Sequence, residues 1–416
     1  MRRPYVLLCL LFIVLLAPVQ HTSVAAQETV YIAQAGDTWA GMAMRYSISI
    51  AELKALNPHM NTMREPAIGR MVSLPEGVSE RFGRLTRSSS SLAVVSAEYH
   101  VPVWSLAIAN NVDSPYRPNF YRALYIPGDG RVRDLPANIE SLELSAVPAM
   151  PGMALGLRGT TRMEDVRISA ALDGLPISFE TVDGRFIGVV GTGAFYRGGE
   201  PEMVVQIADT PVWIQPWAFG QREWEYQELT LTGEAAQIDQ QARDEERTRL
   251  QEIWTIVSPN VLWDEPFQTP VKSYLEVSAH YGARRSYNGG PYLTYHEGVD
   301  LSAYGGTPVL AAAAGTVALA EPLYVRGGTV IIDHGLGVYT GYYHMSAIHA
   351  IPGQQVRPGD LLGEVGTTGL STGNHLHWDL LINGIWVDAA AWQETGMDCW
   401  LLEGIGRACD TAPGDN

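Results

Sequence analysis

The sequence predicts a multidomain chain of mixed α+β and all-β structure, with two small βααβ modules, a β-sandwich and a C-terminal domain of antiparallel β-sheet. Its 416 residues suffice for two to four domains. Two short segments near the N-terminus repeat each other with an offset of 53 residues, which indicates an internal duplication. Further along, short apolar runs separated by Gly, Asp and Pro replace that pattern, as is typical of β-structure.

Residues 1–26 predict a signal peptide. A positive start, Met1-Arg2-Arg3, precedes an apolar run that is short for a membrane span, and the small residues Val24-Ala25-Ala26 precede a cleavage position at about Gln27. An uncleaved anchor is the alternative, which the polar residues after the apolar run disfavour. We therefore expect a secreted or cell-envelope protein, with no stable membrane insertion after cleavage.

The net charge limits the classes of partner. The formal charge is −17, and it becomes −19 once the two arginines of the signal peptide are removed. Such an acidic chain argues against nucleic acid as a partner, because phosphate backbones bind basic surfaces. It also argues against passive adsorption to anionic polymers, so attachment to such a surface would need a dedicated module.

The duplicated segments are residues 27–76 and residues 84–128. The matching positions are Tyr46 with Tyr99, Leu53 with Leu106, and Asn57 with Asn110. Each segment predicts a helix, a loop, a second helix and a closing strand, and Asp37 or Thr38 is suited to cap the first helix.

The opening of the first segment, from Tyr31 through Gly36-Asp37-Thr38 to Trp39, resembles the LysM module. That resemblance implies binding to glycans that contain N-acetylglucosamine. The second segment has Arg87-Ser88-Ser89-Ser90-Ser91 in place of the Gly-Asp-Thr opening, so it is similar to a diverged copy. The alternative is that both copies are folded spacers without affinity for sugar.

Residues 134–232 predict a β-sandwich of immunoglobulin-like kind, because short alternating runs are separated by turns. Its tryptophans, Trp213, Trp217 and Trp224, fit core or interdomain packing better than a sugar platform. Residues 233–260 predict a connecting helix, in which the charged run 243–247 is interpreted as a solvated face.

Residues 261–396 carry the chemistry. His375 and His377 are two positions apart, and side chains at that spacing on a strand point to the same face. Upstream, His296 and Asp300 stand in a Gly-containing stretch that predicts a loop entering a strand rather than a helix. Zinc in catalytic sites takes three nitrogen or oxygen ligands and leaves one position open. His296, Asp300 and one histidine of the pair can fill those three places.

A zinc site for hydrolysis also needs a group that accepts a proton from water. His344 and the other histidine of the pair are the candidates. Glu297 is an alternative base, but it neighbours His296 on an extended chain and is expected to point away from it. His334 and His349 are interpreted as structural and surface residues, respectively.

The stretch from about Tyr281 to Trp392 resembles the lysostaphin-type (LytM-like) zinc endopeptidases, which cut peptide bonds of bacterial peptidoglycan. The matching motifs, in order, are Tyr281-Gly282-Ala283-Arg284, His296 with Asp300, Gly306-Thr307-Pro308-Val309, Ala314-Gly315-Thr316-Val317, Val330-Ile331-Ile332-Asp333-His334-Gly335, Tyr343-His344-Met345-Ser346, Gly353-Gln354-Gln355-Val356, Gly366-Thr367-Thr368-Gly369 and Thr372-Gly373-Asn374-His375-Leu376-His377-Trp378.

The resemblance implies roles for single residues. His296, Asp300 and His377 would bind zinc, while His344 and His375 would activate water and stabilise the oxyanion. Asn374 stands where the family usually has Pro, and Asp379 where it usually has Glu. Neither departure removes a ligand, so any effect is expected on fine specificity.

Three functions follow from these features. The first is an exported zinc metalloendopeptidase acting on peptide cross-links or stem peptides of peptidoglycan, held on glycan strands by the LysM-like modules. The alternative is a non-catalytic activator of other cell-wall hydrolases, which the complete set of five residues disfavours. A lipoyl or biotinyl carrier is a third possibility, because the run from Ala311 to Val317 resembles the hairpins of such domains. It is excluded because a carrier needs a lysine at the tip of the hairpin, and the only lysines of this chain are Lys54 and Lys272. The peptide bond that is cut stays open.

Residues 397–416 predict a tail closed by a disulfide. After removal of the signal peptide, Cys399 and Cys409 are the remaining cysteines, and they lie close together in an exported protein.

Overall fold

The computed structural model describes residues 29–116, 123–164, 166–230 and 240–409. The predicted signal peptide lies outside the described residues. In chain order, the described part consists of two small βααβ modules, a pair of packed sheets, a long helix and a large β-rich domain. This order confirms the predicted fold class.

The first module pairs its two strands antiparallel and packs two helices beside them. Its elements are β1 (Thr29–Ile32), α1 (Trp39–Tyr46), α2 (Ile50–Leu56) and β2 (Met71–Leu74). The Thr38 side chain accepts a hydrogen bond from the amide of Gly41 and so caps α1, as predicted. Trp39, Leu53 and Val72 form the centre of a small apolar core.

The second module repeats this order. Its elements are β3 (Phe82–Arg87), α3 (Leu92–Tyr99), α4 (Val103–Ala109) and β4 (Ala123–Arg131). Asn57 and Asn110 make the same bonds in the two modules: each amide donates to a carbonyl of the preceding helix and exchanges two hydrogen bonds with the closing strand. The predicted duplication is therefore confirmed at the level of individual hydrogen bonds.

The next unit is the predicted β-sandwich. Its strands are β5 (Ile139–Leu144), β6 (Ala154–Thr161), β7 (Ile168–Leu172), β8 (Leu175–Pro176), β9 (Ser178–Val182), β10 (Arg185–Gly191), β11 (Glu202–Ile207) and β12 (Trp213–Pro216). They form two four-stranded sheets, in the orders β5-β6-β10-β9 and β12-β11-β7-β8, around one apolar core. Trp217 is fully buried in that core, whereas Trp224 packs against Tyr281 of the C-terminal domain. Both environments fit the predicted packing roles.

The first module is docked on the sandwich by backbone contacts. Ile68 and Trp217 form an isolated parallel bridge, and the amide of Ile68 donates to the carbonyl of Pro216. The buried side chain of Gln215 accepts from the amide of Gly36 at 2.8 Å and donates to the carbonyl of Asp37 at 2.9 Å. The first module is thus part of a continuous packed unit and not a domain on a free tether.

A short strand and a helix follow the sandwich, namely β13 (Tyr226–Leu229) and α5 (Gln240–Trp254). Leu250, Ile253 and Trp254 of α5 are buried against the large sheet of the C-terminal domain. The interpretation of residues 243–247 as a solvated face is wrong at one position, because Glu246 is only 6% exposed. Burial of this carboxylate is tolerated because it accepts hydrogen bonds from the 324–327 loop.

The C-terminal domain is built mainly of antiparallel strands. These are β14 (Glu276–Ala279), β15 (Arg284–Tyr287), β16 (Thr294–Tyr295), β17 (Val299–Ser302), β18 (Pro308–Leu310), β19 (Gly315–Leu323), β20 (Gly327–Asp333), β21 (Val338–Met345), β22 (Ala347–Ile348), β23 (Gln355–Val356), β24 (Leu361–Glu364), β25 (His375–Ile382) and β26 (Ile385–Val387). The main sheet runs β14-β17-β25-β21-β20-β19-β23, and β26 also pairs with β25. One smaller sheet has the order β18-β24-β22, and another joins β13 to β15 and β16. The strand β13 therefore contributes to the C-terminal domain although it precedes α5.

Two helices close the described chain, α6 (Ala389–Thr395) and α7 (Met397–Gly404). Leu401 and Leu402 of α7 are fully buried in the core of the C-terminal domain. The disulfide between Cys399 and Cys409 is formed, with a Cα–Cα distance of 5.2 Å. The predicted pairing is confirmed, and the first part of the predicted tail is a packed helix.

Within the described ranges, no single helix has the length and apolar character needed to cross a membrane. Leu92–Tyr99 and Val103–Ala109 meet those criteria only when taken together, and they are bent by 112°.

Candidate metal centre

Three neighbouring strands of the main sheet position the candidate site. In the pairing of β17 with β25, Asp300 lies directly opposite His377, and Ser302 lies opposite His375. On the other side of β25, Tyr343 of β21 lies opposite His377, so that His344 follows next along β21. His375 and His377 share one face of β25, as the spacing predicted.

The three predicted ligands converge on one point. His296 Nε2 lies 2.9 Å from Asp300 Oδ1 and 2.9 Å from His377 Nδ1, and the last two atoms are 2.8 Å apart. The side chain of His296 is fully buried, and those of Asp300 and His377 are 13% and 14% exposed. Among the residues that the structure describes, this is the one group of three possible ligands whose donor atoms lie this close together.

The hydrogen bonds of His296 show that the group fits a cation. Its Nδ1 lies 3.0 Å from the carbonyl oxygen of His280, which can only accept, so Nδ1 carries the hydrogen of the neutral ring. Nε2 then presents a lone pair towards the carboxylate oxygen of Asp300. Two acceptors at 2.9 Å repel each other unless a cation or a proton lies between them. A hydrogen on His377 Nδ1 could be donated to His296 Nε2 or to Asp300 Oδ1, but not fully to both. A metal ion between the three atoms would accept a lone pair from each of them.

The protonation states agree with metal binding. Burial lowers the pKa of His296, and burial lowers the pKa of His377 to about 3 despite the neighbouring Asp300. Both rings are therefore neutral at neutral pH, as metal ligands must be.

His344 and His375 lie beside the three predicted ligands without joining them. Their ring centroids are 4.8 Å apart, and His375 Nε2 lies 3.7 Å from Asp300 Oδ1. His344 Nδ1 donates to the carbonyl of Thr368 at 2.8 Å, and His375 Nδ1 donates to the carbonyl of Gly373 at 2.8 Å. With Nδ1 carrying a hydrogen, the neutral form of either ring leaves Nε2 as a proton acceptor.

The backbone of His344 is held in an uncommon conformation. Its φ is 62°, in the left-handed region that few residues other than glycine adopt. Burial, followed by the nearby ring of His375, lowers the pKa of His344 to about 4, so this ring is neutral at neutral pH. A buried, neutral histidine with one free nitrogen is the form that a general base requires.

Three other residues considered from the sequence lie outside this cluster, namely Glu297, His334 and His349. The Glu297 carboxylate pairs with the Arg326 guanidinium at 2.9 Å. His334 is fully buried and bonds to the carbonyl of Ala314 and the hydroxyl of Thr340, whereas His349 is exposed beside Glu364. These positions agree with the structural and surface roles predicted for the two histidines.

Asp379, one of the two departures from the family pattern, is buried behind the site. It accepts hydrogen bonds from Tyr343 at 3.2 Å and from Trp386 at 2.8 Å. Burial raises its pKa to about 7, although the nearby Arg326 acts in the opposite direction. These two hydrogen bonds join β25 to β21 and to β26 beneath the site.

Arg285 was not among the residues predicted for the site, yet its guanidinium lies 3.4 Å from Asp300 Oδ2. Gln227 of β13 accepts a hydrogen bond from the same arginine at 3.2 Å. No local pattern signals this contact, because Arg285 and Asp300 meet only through the packing of β15 beside the main sheet.

Comparison with known proteins gives the identity of the two recognisable regions. Residues 294–389, which include all five predicted site residues, match the description Peptidase family M23. This region is a peptidase family M23 domain. Residues 31–75, which cover the first module except for the first two residues of β1, match the description LysM domain. Both resemblances found in the sequence are confirmed.

Curated relatives of the M23 domain include peptidoglycan enzymes. The DD-carboxypeptidase/endopeptidase Mpg of Neisseria meningitidis is 40% identical over 114 residues, which are 27% of this chain and 25% of that protein. The peptidoglycan DD-endopeptidase ShyA of Vibrio cholerae is 35% identical over 120 residues, which are 29% of this chain and 28% of that protein. The chain thus spans about a quarter of the length of the curated relatives it matches.

Among solved structures, a putative peptidase M23 from Pseudomonas aeruginosa is 27% identical to this chain. The match covers 62% of this chain and 95% of that one, with a TM-score of 0.42.

The metal of the M23 domain is zinc. Two imidazole nitrogens and one carboxylate oxygen are donors that zinc prefers, and three protein ligands are the number found in its catalytic sites.

Proposed function

We propose that this protein is an exported zinc metalloendopeptidase that hydrolyses peptide cross-links or stem peptides of bacterial peptidoglycan. The observation that carries the proposal is the convergence of His296, Asp300 and His377, with two further histidines beside them, inside an M23 domain. The LysM domain on the same chain supports a substrate in the cell wall.

His296, Asp300 and His377 would hold the zinc ion. When bound, zinc polarises the scissile carbonyl and lowers the pKa of water, which is the chemistry that peptide hydrolysis needs.

His344 and His375 would transfer the proton of the attacking water and stabilise the negative charge of the oxyanion. Each ring is oriented by a backbone carbonyl at Nδ1, so Nε2 can accept a proton from the attacking water. The ring that has taken up this proton carries a hydrogen on Nε2, so it can donate a hydrogen bond to the oxyanion and then pass the proton to the leaving amine. The other ring can donate to the oxyanion only in its protonated form, because its Nδ1 hydrogen is bonded to a backbone carbonyl. Because both rings are held by the backbone, no reorientation is needed between these steps.

The two N-terminal modules would concentrate the enzyme on glycan strands. A bound module raises the effective concentration of substrate around the peptidase domain. This role complements the acidic charge of the chain, which disfavours adsorption to anionic polymers. We place the protein outside the cytoplasm, secreted or in the cell envelope.

Mass spectrometry of the products tests the reaction. The full chain is incubated with purified cross-linked muropeptides of defined structure, and the fragments identify the bond that is cut. His344→Ala and His375→Ala should keep zinc and yet lose roughly 10²- to 10⁴-fold in turnover, since their roles concern the transition state. His349→Ala, which changes an exposed histidine of the same domain, is the matched control. Zinc-loaded protein that releases no fragment from any substrate would favour the non-catalytic activator instead.

Sedimentation with intact sacculi tests the modules. The intact chain should pellet with sacculi, and soluble oligomers of N-acetylglucosamine should release it by competition. A His377→Ala background prevents digestion during the assay. If the oligomers do not compete, the modules act as spacers and the affinity for the wall lies elsewhere. Competition leaves the chain intact, which is needed because the first module shares backbone hydrogen bonds with the sandwich.

A further inference from the structure

The helix α5 lies outside the M23 match, yet one of its side chains is connected to the metal centre by a short series of hydrogen bonds. We propose that Glu246 is a positioning residue for the catalytic site, acting from α5 through the loop of residues 324–327. This proposal rests on the proposed function, because the site that Glu246 would position is the hydrolytic one.

The first step is the contact between α5 and the loop. Glu246 Oε2 accepts from the amide of Val325 at 2.6 Å, and Glu246 Oε1 accepts from the Arg326 guanidinium at 3.2 Å. The Glu246 side chain is 4% exposed. Both carboxylate oxygens are thus committed to this loop, so α5 fixes its main chain and its arginine together.

The second step runs from the loop to His344. The carbonyl of Arg326 accepts from the amide of His344 at 2.9 Å, and the carbonyl of Val325 accepts from the amide of Leu370 at 2.7 Å. Gly327, where the loop enters β20, lies so close to Thr368 that a Cβ there would approach the Thr368 backbone to 2.5 Å. Thr368 in turn accepts the hydrogen bond from His344 Nδ1. The loop therefore holds His344 directly through its amide and indirectly through the carbonyl that orients its ring.

The third step runs from the loop to the metal ligands. The Arg326 guanidinium bridges two carboxylates, that of Glu246 through Nη1 at 3.2 Å and that of Glu297 through Nη2 at 2.9 Å. Glu297 directly follows His296 in the chain. Fixing the carboxylate of Glu297 restrains the backbone that carries the His296 ring.

Two physical arguments favour positioning over a purely stabilising role. A buried ion pair contributes little net stability, because desolvation of both charges offsets their attraction, but it fixes the geometry of the groups it joins. Furthermore, His344 has a φ of 62°, and a strained conformation persists only where the surroundings hold it. The amide of His344 is bonded to the loop that Glu246 fixes, so loosening the loop would let this backbone relax and move the ring.

The test uses the full chain with Glu246→Gln and Glu246→Ala. The matched control is Glu252→Ala, which removes an exposed carboxylate from the same helix. Gln can still accept from Val325 but carries no charge for Arg326, whereas Ala removes both contacts. We expect kcat on cross-linked muropeptides to fall roughly 10- to 100-fold for Ala and less for Gln, with KM within about twofold and zinc content unchanged.

Spectroscopy gives a second readout that does not depend on turnover. With cobalt(II) in place of zinc, the visible absorption of Glu246→Ala should differ from that of the unsubstituted chain and of Glu252→Ala, because the His296 ligand would be displaced. If the chain hydrolyses no muropeptide, the proposed function fails, and the cobalt spectrum alone decides the positioning role.

The outcomes separate the alternatives. A kcat and a cobalt spectrum for Glu246→Ala equal to those of Glu252→Ala would overturn the proposal. If Glu246→Ala does not fold, Glu246→Gln decides: a folded Gln variant with full kcat and an unchanged spectrum overturns it, and one with reduced kcat at unchanged KM supports it.

Discussion

Replacement of Gly298 by alanine offers a sharp test of how the strands set the metal site. Gly298 lies in sequence between two proposed ligands, His296 and Asp300, and is buried against β25. A Cβ added there would lie 2.2 Å from the carbonyl oxygen of Trp378 and 2.9 Å from the Cβ of Asp379. The methyl group of alanine therefore collides with the strand that carries His377.

The magnitude follows from these distances. Ordinary contact begins at 3.4 Å, so the two strands would have to separate by more than 1 Å. β25 is paired on both sides, with β17 and with β21, and cannot move alone. A displacement of about 1 Å exceeds the tolerance of about 0.2 Å for zinc ligands. We expect zinc affinity to fall at least about 10-fold, turnover at saturating zinc to fall about 10²-fold, and stability to fall by about 1–3 kcal/mol.

The assay combines zinc titration of the metal-free protein with turnover of cross-linked muropeptides at saturating zinc. Gly128→Ala is the matched control, because Gly128 lies in β4 outside the C-terminal domain, its backbone is not in the left-handed region, and a Cβ there meets nothing within 4 Å. Equal zinc affinity and equal turnover in the two variants would refute the reasoning that the spacing of β17 and β25 sets the ligand geometry.

Three further changes test other parts of the structure. His377→Ala should lose stoichiometric zinc, as measured by metal analysis, and retention of one zinc per chain would contradict the ligand assignment. Burial lowers the pKa of His334 to about 4, below the value of about 6.5 in an unfolded chain, so its contribution to stability is complete above pH 6.5 and is lost as the pH falls towards 4. The free energy of unfolding, measured with denaturant, should therefore fall by about 3 kcal/mol less for His334→Gln than for the wild type when the pH is lowered from 7 to 4. If the two proteins lose the same free energy of unfolding over this range, His334 does not cause the pH dependence. Gln215→Ala should lower the unfolding free energy by about 1–3 kcal/mol and expose the first module to limited proteolysis, because the buried amide of Gly36 loses its acceptor; unchanged cleavage kinetics would mean that the other backbone bonds suffice.

Much of the architecture could be predicted because its signals are local. The repeat offset of 53 residues placed Asn57 and Asn110 at equivalent positions, and the structure gives them the same hydrogen bonds. The spacing of His375 and His377 predicted a shared face, because side chains alternate along any strand. The glycine-containing stretch after His296 correctly predicted a loop followed by a strand.

Other features have no local signal. Glu246 stands in a charged run that is otherwise mostly exposed, and nothing in its neighbourhood distinguishes it from Glu245. Its burial depends on a loop about 80 residues further along the chain. In the same way, Gln215 contacts Gly36 across 179 positions of sequence, so the docking of the first module could not be inferred from either segment.

The sequence by itself determined the inventory of this protein: the duplicated modules, the sandwich, the β-rich peptidase region and the five residues suited to zinc chemistry. These follow from periodicity, turn residues and motif order, which act over a few positions. Only the tertiary structure decided that Asp300 lies opposite His377, that His344 and His375 keep Nε2 free, and that α5 holds the 324–327 loop. Such relations depend on strand register and on contacts between distant segments, and they form only when the whole core packs.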